Sequence, residues 1–209
     1  MKVERYGGAG YESNCYLVLD DAESAALVVD PSVDVRTVFR QRGRSLPPVC
    51  AVCLTHAHFD HMLALDDWRR QTGAPLCVGR EDAPALGNPE VSLFRMFLAA
   101  DVTFAPAGRT LSDRDTVRVG NEALTVLATP GHTPGGICLR GDGFLLAGDT
   151  MFAHGDFGRT DFPGGDAAAL RASLARLARL PDDTTVYPGH GAETTIGREK
   201  RINPYLTNE

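Results

Sequence analysis

The sequence predicts an α/β fold of the α+β kind, with two mixed β-sheets packed together and flanked by helices. Three observations lead there. Short strand-like runs recur in both halves of the chain, helical patterns are interspersed among them, and 22 Gly and 13 Pro supply many tight turns. Blocks of strands with helices between them suggest an αββα sandwich, although periodicity by itself does not fix that architecture. At 209 residues, without repeat, low-complexity tract or linker, the chain reads as a single domain spanning 1–209.

The elements follow in order. Strand-like runs at Lys2–Tyr6, Cys15–Leu19 and Ala26–Val29 are separated by Gly- or Asp-rich turns. Asp34 then caps a helix with Val35, Val38 and Phe39 on one face. A buried strand, Val49–Leu54, precedes a helix that begins near His61, turns Leu65 and Trp68 inward and ends at Gly73 and Pro75. Within the less regular stretch 80–112, Val91–Ala100 reads as a helix with Phe94, Phe97 and Leu98 on its apolar side, a wall over the site. Two hairpins follow: Thr116–Val119 with Ala123–Ala128, and Ile137–Leu139 with Phe144–Ala147. An amphipathic helix over about 166–180 stacks Leu170, Leu174 and Leu177. A last strand, Thr184–Tyr187, leads into a polar tail.

Composition excludes several classes. The net charge is −6 and no block of Lys and Arg forms, which argues against a nucleic-acid partner. No run approaches the roughly 18 apolar residues of a membrane span, and charges interrupt the N-terminus before a secretory signal develops. A cytoplasmic protein, monomer or homodimer, is expected. Five cysteines, an odd number in apolar stretches, do not make a disulfide framework. Cys50 and Cys53 sit three apart on a strand, so their side chains point to opposite faces and read as core residues. Gly7-Gly8-Ala9-Gly10 lacks the spacing of a nucleotide loop and reads as a flexible turn.

The chemistry lies at the ends of strands. Five of the six histidines stand there: His56, His58 and His61 in H-x-H-x-D-H with Asp60, then His132 after Pro130-Gly131, and His190 after Pro188-Gly189; Asp149 follows Gly148. Loops at the ends of rigid strands are where sites are built. Imidazole and carboxylate suit divalent first-row metals, and seven donors exceed one open site but fit two ions sharing a carboxylate. Two divalent ions bring four positive charges, two aspartates remove two and a bridging hydroxide one, leaving one to polarise a carbonyl. Three neighbouring imidazoles have no evident packing purpose. His154, in a Gly-rich segment, reads as solvent-exposed rather than as a ligand.

Thr55-His56-Ala57-His58-Phe59-Asp60-His61, Pro130-Gly131-His132-Thr133-Pro134-Gly135, Gly148-Asp149-Thr150 and Pro188-Gly189-His190-Gly191 resemble the metal motifs of the metallo-β-lactamase superfamily. The resemblance implies that His56, His58 and His132 hold one ion, that Asp60, His61 and His190 hold the other, and that Asp149 bridges them. Zinc is the first choice, with iron or manganese as alternatives. Gly148–Phe152, Gly158–Asp166 and Thr194–Leu206 look like the small bacterial relatives of glyoxalase II, the hydroxyacylglutathione hydrolases. Asp149 stands where zinc β-lactamases of the best-known class place a cysteine.

That likeness implies hydrolysis of a thioester, S-lactoylglutathione or a related small-molecule acyl-thiol, by a hydroxide bridging the two ions, with Asp60 also orienting the nucleophile. The C-terminal helical domain with which larger glyoxalase II enzymes grip glutathione is not expected here. Their Lys- and Tyr-bearing loop is replaced by Gly158-Arg159-Thr160-Asp161, where Arg159 either pairs with a substrate carboxylate or braces the loop through Asp161. Thr150 and Asp161 are candidates for fixing the imidazoles. A rival reading, a mononuclear iron oxidoreductase resembling persulfide dioxygenases, rests on the sequence Gly158–Phe162.

Overall fold

Alternation along the strands divides the apolar residues between three layers. The computed structural model describes residues 1–206. Strands β1 (Lys2–Gly7), β2 (Asn14–Leu19), β3 (Ala26–Val29), β4 (Val49–Cys53), β5 (Leu76–Gly79) and β6 (Arg109–Leu111) form one sheet in that order. The first three are antiparallel and β3 to β6 are parallel. The second sheet runs β12-β11-β10-β9-β8-β7, from β7 (Thr116–Val119), β8 (Glu122–Ala128), β9 (Ile137–Arg140), β10 (Phe144–Gly148), β11 (Thr185–Pro188) and β12 (Thr194–Thr195). It is antiparallel except where β10 pairs with β11.

On β2, Tyr16 and Val18 face the layer between the sheets, whereas Cys15, Leu17 and Leu19 face an outer layer. On β10, Phe144 and Leu146 face inward and Leu145 and Ala147 outward. A two-residue period with both faces buried means that each sheet is covered on its far side as well. Helices α1 (Val35–Arg42), α2 (Leu65–Thr72) and α3 (Phe94–Leu98) lie with the first sheet, and Leu65 and Trp68 are fully buried there. Helices α4 (Ala167–Leu177) and α5 (Ile196–Ile202) cover the second through Leu170, Leu174, Leu177 and Ile196. The result is the αββα sandwich. Among the described residues, no helix is long and apolar enough to cross a membrane.

The helix ends follow their capping chemistry. Asp34 accepts the Thr37 backbone N–H at 2.9 Å, and Asp166 accepts those of Ala168 and Ala169 at 2.8 and 3.0 Å. Several expectations need correction. The helix placed near His61 starts only at Leu65, after a 3-10 turn over Phe59–His61. The stretch 91–100 keeps just five helical residues, because Leu93 and Ala99 take left-handed conformations at its ends. Phe39 is half exposed rather than packed. Cys53 is buried as read, but Cys50, on the opposite face near the start of β4, is exposed. The polar tail contains β12 and α5, whose Ile196 is buried.

Trimming Leu174→Ala removes a fully buried side chain between α4 and the second sheet. It is expected to lower the unfolding free energy by about 2–5 kcal/mol in a urea titration.

Candidate metal centre

Five strand ends deliver the site. After β3 comes Asp30; after β4, the loop Thr55–His61; after β8, His132; after β10, Asp149; after β11, His190. β8 and β10 are both antiparallel to β9, and β11 is parallel to β10, so the three strands of the second sheet end at one edge. All seven residues singled out from the sequence meet there. Their donor atoms form three groups, within each of which they lie no more than 4.8 Å apart: His56, His58 and His132; His56, His61 and Asp149; Asp60, His61 and His190.

His58 Nδ1 stands 2.9 Å from His132 Nε2, and His190 Nε2 lies 3.0 Å from Asp60 Oδ2. Asp149 reaches between the groups, with Oδ1 3.3 Å from His61 Nε2 and Oδ2 3.5 Å from His132 Nε2. The residues fit a metal pair. His56 Nε2, His58 Nε2, both ring nitrogens of His61 and Asp149 Oδ1 are buried and have no hydrogen-bond partner in the protein, a costly state for polar atoms where no cation takes them up. Gly189 is needed beside them, since a Cβ there would stand 2.0 Å from Asp149 Oδ1 and 2.8 Å from His61 Cε1.

Partners behind the imidazoles orient them. The Arg159 carbonyl accepts from His132 Nδ1 at 2.6 Å, which turns Nε2 toward the cluster. Thr55 Oγ1 donates to Asp30 Oδ2 at 2.7 Å and lies 3.3 Å from His56 Nδ1, so it can accept there and leave His56 Nε2 free. Asp30 Oδ2 is also 2.9 Å from His61 Nδ1. Asp30 is almost wholly buried, holds a φ of +52°, and accepts the Thr55 N–H at 2.7 Å. Asp82 does the corresponding work between loops. Buried and accepting from Ala57 N (3.0 Å), Thr133 Oγ1 (2.8 Å) and Gly135 N (2.6 Å), it ties the H-x-H turn to the loop bearing His132.

Neither Asp30 nor Asp82 was singled out from the sequence. An acid ending the apolar run of β3 before Pro31 is a signal for the first; Asp82, in a 3-10 stretch, gives none. Thr150 donates to Thr129 Oγ1 instead of to an imidazole. Asp161 takes both of its bonds from Arg159, at 2.6 and 2.5 Å. His154 is exposed, as its setting suggested.

Burial and neighbouring imidazoles push His56 well below the ordinary histidine range, and burial with His132 brings His58 down to about 3. Burial opposes protonation of His61, but Asp30, Asp149 and Asp60 hold its pKa well above the ordinary value. His190 is raised against the same penalty by Asp60 and Asp149. Burial works against ionisation of Asp60 and Asp149, yet the cationic imidazoles, His61 foremost, keep both lowered.

A cavity of about 480 Å³ opens over the cluster. Asp60, Asp149, His58, His132 and His190 line its floor, and Phe59, Leu93, Phe97, Phe152, Phe157 and Phe162 its walls. The segment 91–100 thus contributes a wall through Leu93 and Phe97. Arg159 lies on the rim with its guanidinium 4.1 Å above the Phe162 ring.

A model of the metallo-beta-lactamase superfamily matches residues 8–190. The hydroxyacylglutathione hydrolase GloC of Haemophilus influenzae is 30% identical over 218 residues, covering 100% of this chain and 100% of that protein. Among solved structures, the BLEG-1 B3 metallo-beta-lactamase superposes with a TM-score of 0.91 at 31% identity, covering 99% of this chain and 100% of that one. TTHA1623 in a di-iron-bound form gives 0.81 at 31% identity, with 99% and 100% covered. ETHE1 from Myxococcus xanthus gives 0.78 at 32% identity, with 100% and 86% covered.

Two outcomes follow from this geometry. Asp30→Ala removes the carboxylate that lies 2.9 Å from His61 Nδ1 and braces Thr55, and it is expected to weaken metal retention about 10- to 100-fold, read by competition with a chelator. An ion at Asp60, His61 and His190 must displace protons from two histidines of raised pKa, so its affinity falls as pH drops. His56 and His58 stay neutral to far lower pH. Metal analysis between about pH 8 and pH 5 is therefore expected to show one ion lost before the other; simultaneous loss would contradict the assignment.

Proposed function

The chain belongs to the metallo-beta-lactamase superfamily, and we propose that it is a dinuclear metal-dependent hydrolase that cleaves acyl-thiol esters, S-lactoylglutathione or a related thioester among them. The observation that carries this reading is the pair of donor triads joined through Asp149 on the floor of one open cavity.

His56, His58 and His132 would hold one ion, Asp60, His61 and His190 the other, with Asp149 shared. When bound, two divalent ions ionise a water at neutral pH and polarise the acyl carbonyl; zinc, iron and manganese all suit this set of nitrogen and oxygen donors. The protein's own groups do the rest. Asp60 faces both His190 and the cavity, so its carboxylate can accept a hydrogen bond from the attacking water and fix its direction. The Arg159 carbonyl keeps His132 in one orientation, and the Asp30 carboxylate sets its charge 2.9 Å from His61 Nδ1. A departing thiolate, with a parent pKa of roughly 8.5, needs little help from an acid, and the reading requires no acid beyond the metal-binding floor.

The GloC likeness supports a thioester. The second reading, a mononuclear iron oxidoreductase, has the sequence Gly158–Phe162 on its side, and the ETHE1 likeness fits it too.

Metal analysis and turnover of the metal-replete protein test the choice. Two ions per chain are expected, with release of thiol from S-lactoylglutathione or another thioester and no oxygen uptake. Asp60→Asn is expected to lower kcat by about 100-fold or more, within the range of lost acid–base assistance. One iron per chain with oxygen consumption would replace this reading by the second. Opening of a chromogenic β-lactam faster than any thioester would overturn it as well.

A further inference from the structure

Beyond its metal donors, the cavity is aromatic, and the rings form a path. Phe162 meets His58 edge-on at 5.8 Å and Phe97 at 5.7 Å, and Phe97 stacks on Phe59 at 4.9 Å with the planes 12° apart. The path starts at a metal-binding imidazole and ends at solvent, where Phe97 is 37% exposed and Tyr11 stands 6.4 Å from it. Large apolar side chains left half open beside a reactive floor mark a place where an apolar group is buried on binding.

The charges on the walls point the same way. Apart from the metal-binding floor, the cavity's charged lining residues among those described are Arg159 and Asp156. Both guanidinium bonds of Arg159 go to Asp161, and its face covers Phe162. What remains is Asp156, an acid. A peptide thiol such as glutathione carries two carboxylates and an ammonium; this wall offers its carboxylates no unmatched cation and places one like charge near them.

We propose that the substrate of this site is a thioester with an uncharged, apolar acyl group, held against Phe97 and Phe162 in the cavity, with the polar thiol carrier left in solvent. The inference rests on the thioester reading above and specifies its substrate. The acyl side is assigned to the rings because thiol carriers are polar, so the apolar variety of thioesters lies in their acyl groups. In the reaction, water oxygen bonds to the acyl carbon and the carbon–sulfur bond breaks with its electron pair on sulfur; one proton of the water passes to the sulfur and the other to solvent, so the products are a carboxylate, a thiol and a proton.

The test is a series of acetyl, butanoyl, hexanoyl and phenylacetyl esters of N-acetylcysteamine, beside S-lactoylglutathione, with the metal-replete protein. kcat/KM is expected to rise about two- to fourfold per methylene, and the phenylacetyl ester to exceed S-lactoylglutathione at least tenfold. In Phe97→Ala, the phenylacetyl-to-acetyl ratio of kcat/KM is expected to fall about fivefold. Loss of folded protein scales both rates equally, so the ratio reports the specificity of the folded fraction and is expected to fall in Phe97→Ala even at reduced yield. As a readout apart from turnover, calorimetry with the unreactive thioether S-(2-phenylethyl)-N-acetylcysteamine is expected to give a Kd at least tenfold below that of its S-ethyl homologue. A flat acyl series, a preference for S-lactoylglutathione or an unchanged ratio in Phe97→Ala would each overturn this inference while leaving thioester hydrolysis intact. Turnover of none of the esters would overturn both.

Discussion

Crowding buried imidazoles and carboxylates at the edge of two sheets is the constraint around which the rest of the molecule is organised. Each such group loses hydration, and like groups repel when charged, so the arrangement is costly before any ion arrives. The structure offsets that cost by mixing signs. Asp30, Asp60 and Asp149 stand against His61, and Asp60 against His190, while His56 and His58 stay neutral through burial. An intact donor set with orphaned atoms therefore marks a place prepared for cations and not merely a polar core.

The two sheets contribute unequally. The first supplies four of the seven candidate ligands from one loop after β4, and the second supplies three, one from each of three strand ends. Such a divided site works only if the sheets cannot slide. Asp82 bridges across the division, accepting at once from Ala57 of the first half and from Thr133 and Gly135 of the second. Gly131 permits the matching approach on the outer side: a Cβ there would fall 2.2 Å from the Leu170 backbone nitrogen at the start of α4. Small residues in the P-G-H motif thus serve packing, and the imidazole that follows is positioned by it.

What was legible in the sequence was whatever local pattern specifies. Apolar alternation revealed nine of the strands nearly in full, the Asp34 cap placed α1, the stacked leucines placed α4, and the density of histidines at strand ends disclosed the donor set. The short strands β5, β6 and β12 run two to four residues and are held by register with neighbours distant in the chain, which no local window contains. Asp82 escaped for the same reason, and Asp30 shows in sequence only as an acid ending the apolar run of β3: a carboxylate becomes a brace only through the groups that tertiary folding brings to it. The extent of α3 was overestimated because apolar spacing carries no information on the left-handed backbone at Leu93 and Ala99.

The tail shows how a segment that reads as polar can govern a site it does not enter. Glu199 on α5 is fully buried, and its carboxylate accepts the backbone N–H groups of His154 and Gly155 together with the Thr194 hydroxyl. His154 and Gly155 both take positive φ, so the chain reverses at that point around the carboxylate. Tyr205 lies 4.4 Å from Phe157, and the Arg171 guanidinium stands 4.8 Å from the centre of its ring. The segment so fastened runs from Phe152 to Arg159, which line the cavity, and ends in the carbonyl that orients His132. A buried carboxylate with hydrogen-bond donors on several sides is an anchor that no apolar residue could replace. The C-terminal helix therefore sets the position of one aromatic wall and, through a single backbone carbonyl, the aim of one metal-facing nitrogen.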